Sequence, residues 1–158
     1  MRRRTAVLVA LLAPLTLPEI IVAQAQQTPL PKLPAGAGTV DADAPKTLTA
    51  TASKLQYRVL RKGSGDAPKG TSTVKVHYHG WLDDAGKPFD SSYERREPIE
   101  FPLNGVIRGW TEGMQLVQPG GMIELSIPAE LGYGERGIPG VIPPGATLHF
   151  VVELLEVK

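Results

Sequence analysis

Apolar and polar side chains alternate with a period of two over much of the chain after residue 54. Leu55, Tyr57 and Val59 alternate with Gln56 and Arg58, Val74, Val76 and Tyr78 alternate with Lys75, His77 and His79, and Ile123, Leu125 and Ile127 repeat the pattern. Each run predicts a strand buried on one face. The last run is the longest: Leu148, Phe150, Val152 and Leu154 share a face, while Val151 and Leu155 make the other face partly apolar, as a central strand requires. One segment changes period. Trp110, Met114 and Val117 recur at i, i+4 and i+7, and Pro119-Gly120-Gly121 ends the run, which predicts one short helix. Gly109 and Gly113 lower its intrinsic propensity, so packing must hold it. Antiparallel strands with one helix laid across them make an α+β domain. Asp83 to Pro88 reads as a hairpin connection, and the Gly/Pro-rich run from Gly132 to Gly145 as a loop.

The first 53 residues follow neither period. Arg2, Arg3 and Arg4 precede an apolar run from Ala6 to Ala13, and Ala23-Gln24-Ala25 has the small-x-small pattern of a cleavage site. Residues 1–25 therefore read as a signal peptide cleaved after Ala25, which addresses the chain to the periplasm or the exterior. A retained membrane anchor is the alternative, but Pro14, Pro18 and Glu19 interrupt the stretch short of the ~20 apolar residues a span needs. Residues 26–53, with Pro29, Pro31, Pro34 and Pro45 among Ala, Thr and Gln, read as a disordered Pro/Ala-rich linker. The domain is then 54–158, long enough for a single core.

Composition sharpens this division. All nine aromatic residues of the 158-residue chain fall at Tyr57 or later. With no Cys there is no disulfide framework, Cys-ligated zinc or thiol nucleophile. The 17 basic and 16 acidic side chains become 14 and 15 once residues 1–25 are removed, because three Arg and Glu19 leave with them. A nearly neutral domain offers no electrostatic footprint for nucleic acid.

Three motifs with chemical potential fail on context. Gly132-Tyr133-Gly134-Glu135-Arg136-Gly137 matches a dinucleotide fingerprint, but Pro139, Pro143 and Pro144 forbid the helix whose N-terminus would face a pyrophosphate. His77 and His79 share a strand face and His149 lies on another strand, yet no third ligand sits at a telling spacing, so no metal is expected. Ser91-Ser92 after Asp90 lacks the setting of a nucleophile and reads as an Asx turn. The large rings remain: Tyr78, Phe89, Phe101, Trp110, Tyr133 and Phe150. Core packing is their ordinary role. Their number in so small a domain, and Asp90 directly after Phe89, point instead to an apolar cavity with a few polar anchors.

Val74 to Trp81, Phe89-Asp90-Ser91-Ser92, Val106-Ile107-Arg108-Gly109-Trp110, and Tyr133 to Gly137 through Ile142-Pro143-Pro144 to Leu148 and Phe150 closely resemble the FK506-binding-protein (FKBP-type) peptidyl-prolyl cis-trans isomerases. The resemblance runs in order over about residues 54–158. It implies an antiparallel half-barrel wrapped around one short helix, no cofactor, and a cleft formed by Tyr78, Phe89, Asp90, Phe101, Val106, Ile107, Trp110, Tyr133, Ile142 and Phe150. Trp110 would floor the cleft under a substrate proline, and the Ile107 N–H and Tyr133 hydroxyl would bind carbonyls. Asp90 would be tied to Tyr78 and Arg95, either orienting a substrate carbonyl or only fixing Tyr78.

The implied partners are unfolded exported polypeptides containing X-Pro, and macrolides of the FK506 and rapamycin type. A non-catalytic holdase or a peptide-docking module on the same fold is the alternative. Ile99 stands where the family usually has an aromatic, Ile138 where it often has His, and the connection from Phe101 to Val106 is short, which bears on substrate preference and inhibitor affinity. With no inserted chaperone domain and a linker too short for a helical dimerisation arm, a monomer is expected.

Overall fold

The computed structural model describes residues 27–82 and 87–158. The signal peptide expected over residues 1–25 and the tip of the 83–88 connection lie outside the described residues. Seven strands form one antiparallel sheet: β1 (Thr49–Ala50), β2 (Gln56–Arg61), β3 (Thr73–Leu82), β4 (Pro88–Ser91), β5 (Ile99–Pro102), β6 (Met122–Ile127) and β7 (Leu148–Val157). Their order is β1-β2-β6-β7-β3-β4, with β5 pairing the other end of β3. The long strands β3 and β7 pair along their lengths, from Val74 opposite Val157 to Leu82 opposite Leu148. The two-faced apolar pattern of β7 fits its place between β6 and β3. With its short helices the domain is α+β.

The helix expected around Trp110 is α2 (Arg108–Gly113), which tightens into a 3-10 turn over Met114–Leu116. Its two glycines explain how so weak a helix persists. A Cβ at Gly109 would lie 2.4 Å from Ile127 Cγ2, and one at Gly113 would lie 2.6 Å from Leu125 Cδ2. Bare backbone at these positions lets α2 press against β6, and the buried contact replaces the helix propensity that Gly lacks. A second helix, α1 (Ser92–Arg95), is a single turn. The sequence pattern predicts only one helix, because four residues are too few to display a 3.6-residue period. Asp90 and Ser91 close β4 and lead directly into α1, where a turn was expected.

The linker expected over 26–53 differs most. Residues 27–47 cross the outer face of the sheet as a strap, and β1 pairs β2. The Arg58 guanidinium donates to the carbonyls of Thr28 and Pro29 at 2.8 and 2.6 Å, and Arg58 Nε donates to Glu124 at 2.5 Å. The Asp41 N–H donates to the Leu60 carbonyl at 2.8 Å. Leu33 and Val40 cover an outer cluster of Leu60, Met122 and Val151, with Trp81 alongside. The strand read as Leu55-Tyr57-Val59 in and Arg58 out is therefore covered on both sides: Arg58 is 1% exposed and Leu60 is fully buried. The strap has too little apolar surface to fold alone, but a preformed sheet face with a buried Arg supplies partners for its carbonyls.

Candidate active site

On the inner face α2 meets the sheet at one end and leaves a cavity of about 460 Å³ at the other. Each wall traces to local structure. The pleat of β3 turns Tyr78 inward, and β4 brings Phe89 and Asp90 to the same rim. Phe101 comes from β5 and Phe150 from near the start of β7. The turn before α2 contributes Gly105, Val106 and Ile107, held when Thr111 Oγ1 donates to the Leu103 carbonyl at 2.5 Å.

Trp110 sits at the centre, 4% exposed, with its ring edge-to-face against three others. Centroids lie 5.4 Å from Tyr78, 5.7 Å from Phe101 and 5.4 Å from Phe150, at interplanar angles of 81–86°. Phe89 closes the set against Phe150 at 5.5 Å and 87°. Such pairs favour the positive ring edge over the negative face, and each adds roughly 0.5–1.5 kcal/mol beyond burial, so they define a rigid apolar wall.

One polar cluster stands on the rim. The Tyr78 hydroxyl donates to Asp90 Oδ2, and Arg95 bridges the pair by donating to Asp90 Oδ1 at 2.5 Å and to the Tyr78 oxygen at 2.9 Å. Burial, with the Asp90 hydrogen bond, pushes the Tyr78 phenol up to about 12, so it keeps its proton at neutral pH. Burial pulls the Asp90 carboxyl upward, but hydrogen bonds from Tyr78 and Arg95 outweigh it and hold the group below the usual carboxylate value. A carboxylate so engaged is a poor base. No nucleophile–base pair lines the cavity.

Tyr133 is the half-open side of the site, 39% exposed, on a loop closed by Gly137 N–H to the Tyr133 carbonyl and Gly145 N–H to the Gly134 carbonyl. Of the residues expected in the cleft, Tyr78, Phe89, Asp90, Phe101, Val106, Ile107, Trp110, Tyr133 and Phe150 line the cavity. Arg95 stands behind Asp90. Ile142 does not line the cavity: it is 3% exposed in the main core beneath the loop, bridged to Ile138 by two 2.8 Å hydrogen bonds. Gly105 lines it unforeseen, since a residue without a side chain leaves no mark in a hydrophobic pattern. Ile99 and Ile138 pack against the main core.

His77 and His79 lie on the outer face with Nδ1 on Ser92 and Ser91 hydroxyls at 2.9 and 3.1 Å, and His149 stacks on Trp81. Among the described residues no cluster of three His, Cys, Asp or Glu could hold a metal, and no helix is long and apolar enough to cross a membrane.

An antiparallel sheet packed on a short helix encloses an aromatic cleft with one polar cluster on its rim. The family model of FKBP-type peptidyl-prolyl cis-trans isomerases matches residues 65–155, and the chain belongs to that family. It is 54% identical over 113 residues to a probable FKBP-type peptidyl-prolyl cis-trans isomerase of Haemophilus influenzae, covering 72% of this chain and 46% of that protein. The crystal structure of FkpA from Escherichia coli superposes with a TM-score of 0.67 at 52% identity, covering 70% of this chain and 51% of that one. A peptidyl-prolyl cis-trans isomerase from Pseudomonas syringae pv. tomato superposes with a TM-score of 0.65 at 34% identity, covering 70% and 80%. The chain spans less than half the length of the Haemophilus protein.

Proposed function

We propose that this chain catalyses cis-trans isomerisation of X-Pro bonds in exported polypeptides. The observation that carries the reading is the edge-to-face aromatic cavity around Trp110, open beside Tyr133 and Ile107 and without any group for covalent chemistry.

Rotation about an X-Pro amide crosses roughly 18–20 kcal/mol because C–N resonance is lost at 90°. The twisted amide has a less polarised carbonyl than the planar one. An apolar, water-poor cleft therefore disfavours the planar state relative to it, and no proton need move. The proline ring stacks on Trp110, Phe89, Phe101 and Phe150 enclose it, and Val106 packs against its side. The Ile107 N–H and Tyr133 hydroxyl donate to flanking carbonyls and hold the peptide in a turn. Each tenfold in rate needs only about 1.4 kcal/mol of preference for the twisted geometry. Asp90, clasped by Tyr78 and Arg95, shapes the polar rim. The same donors and rings suit a macrolide of the FK506 type.

All these residues come from one chain, so a monomer suffices. A leader at residues 1–25 takes the protein to the periplasm or beyond, where slow proline steps limit folding. Refolding of a proline-limited substrate with this chain at catalytic concentration tests the reading. Acceleration supports it; suppressed aggregation at equimolar ratio with no acceleration overturns it in favour of a holdase.

A further inference from the structure

We infer that Tyr93 and Glu153 are positioning residues for the cleft, tying the Arg95–Asp90–Tyr78 cluster to the N-terminal strap on the opposite face of the sheet. The kinetic part of this inference rests on the isomerase reading; the structural part does not.

The α1 segment is one turn long, Ser92–Arg95. A single helical turn has no stability of its own, and its N-cap Ser91 makes no side-chain cap. Its place must come from what its side chains grip, and three of them grip in different directions. Ser92 is buried beneath β3, its hydroxyl accepting the Tyr78 N–H at 2.8 Å and meeting His77 Nδ1 at 2.9 Å. Arg95 reaches forward to Asp90 and Tyr78. Tyr93 reaches backward: its ring stacks on His77 at 4.8 Å, and its hydroxyl donates to Glu153 Oε1 at 2.5 Å.

Glu153, on β7, is the hub behind the sheet. Its Oε1 also accepts the Gly38 N–H of the strap at 2.8 Å, and its Oε2 accepts Arg61 Nη2 at 2.7 Å. Tyr93 is 8% and Glu153 6% exposed, so water does not compete for these bonds. Burial alone would raise the Glu153 carboxyl, but bonds from Tyr93, Arg61 and Gly38 hold it below its ordinary value and keep it an acceptor at neutral pH. Burial with the Glu153 bond pushes the Tyr93 phenol far up, so it stays a donor.

Arg95 contrasts with them. Its side chain is 47% exposed, long and rich in rotamers. A fork that loose closes on Asp90 and Tyr78 only if α1 presents it from the right place. A continuous path of hydrogen bonds thus runs from Gly38 through Glu153 and Tyr93 into α1, and from Arg95 to the rim of the cleft. The family match begins at residue 65, so the strap end of the path lies outside it.

The test uses the full chain with Tyr93→Phe, which removes one oxygen and keeps the stacked ring, and Glu153→Gln as the second variant. Leu60→Val, in the outer cluster away from Tyr93, controls for destabilisation alone. Carboxyl-carbon NMR follows the Asp90 titration, which Arg95 and Tyr78 set. In Tyr93→Phe and Glu153→Gln the Asp90 midpoint rises by about half a pH unit toward the ordinary carboxylate value, while Leu60→Val leaves it in place. In the isomerase assay Tyr93→Phe raises KM about threefold with kcat nearly kept. An Asp90 midpoint unchanged in both variants, or shifted equally by Leu60→Val, overturns the inference. Absence of isomerase activity in the unaltered chain overturns the functional reading instead, and the titration still decides the path.

Discussion

Gly80 of β3 lies opposite Phe150 of β7, and a methyl group on Gly80 would sit 2.6 Å from Phe150 Cε1 and 2.8 Å from Phe89 Cζ. Two rings of the cleft thus fold over a gap that only a missing side chain provides.

Gly80→Ala should therefore push both rings into the cavity. Replacing a strand Gly by Ala favours folding by roughly 0.5–1 kcal/mol, but overpacking opposes it by about 1–3 kcal/mol, so net destabilisation wins. Denaturant unfolding reads that loss. The assay for X-Pro isomerisation should show kcat/KM down by about tenfold, since the displaced rings occupy substrate space. Full activity would mean that the cleft is not where the substrate binds.

Asp90 and Tyr78 are bonded to each other and share Arg95. Under the proposed function, a carboxylate engaged on both oxygens serves to hold Tyr78. Asp90→Asn and Tyr78→Phe should then lower kcat/KM by similar amounts, each about threefold to tenfold. A much larger loss for Asp90→Asn would assign the carboxylate a direct part in stabilising the twisted amide.

Arg58 and Glu124 are a buried pair, with side chains 0% and 6% exposed. Arg58→Ala leaves Glu124 buried without its cation and frees the Thr28 and Pro29 carbonyls, so unfolding free energy should fall by about 3–5 kcal/mol. The double replacement Arg58→Met with Glu124→Leu should recover much of this, because it removes both desolvated charges. Urea titration of the two variants measures the difference.

The acid limb of stability should depend on Glu153. Its folded-state value is depressed below the ordinary 4.5, so its contribution is complete above 4.5 and is lost as pH falls through the lower folded value. Glu124 works in the opposite sense. Burial raises its value despite the Arg58 bond, so it takes up a proton more readily when folded and gains stability as pH falls. Urea unfolding between pH 7 and pH 3 should show Glu153→Gln less stable at neutrality and less steeply weakened by acid than the unaltered chain.

Much of this was legible along the chain. The period-two runs located β2, β3, β6 and β7, and the i, i+4, i+7 spacing located α2, because both report the repeat of the backbone itself. The rings and the Phe89-Asp90 pair marked a cleft, and the block-by-block likeness assigned it to a family. What escaped shares one cause. Arg58 reads as a solvent-facing residue until the strap covers it; the strap reads as linker because its composition cannot fold alone; Tyr93 and Glu153 stand 60 residues apart. Ile142 was placed by likeness in the cleft and packs beneath it.

Residue order by itself determined which segments become strands or helix and which side chains bring chemistry, since propensity and periodicity act over a few residues. Tertiary structure alone decided which faces are covered. It bedded the helix on two glycines, buried Arg58 under the strap and joined Gly38 to the rim through Glu153 and Tyr93, because desolvation and hydrogen-bond satisfaction depend on neighbours that the chain brings together only when it folds.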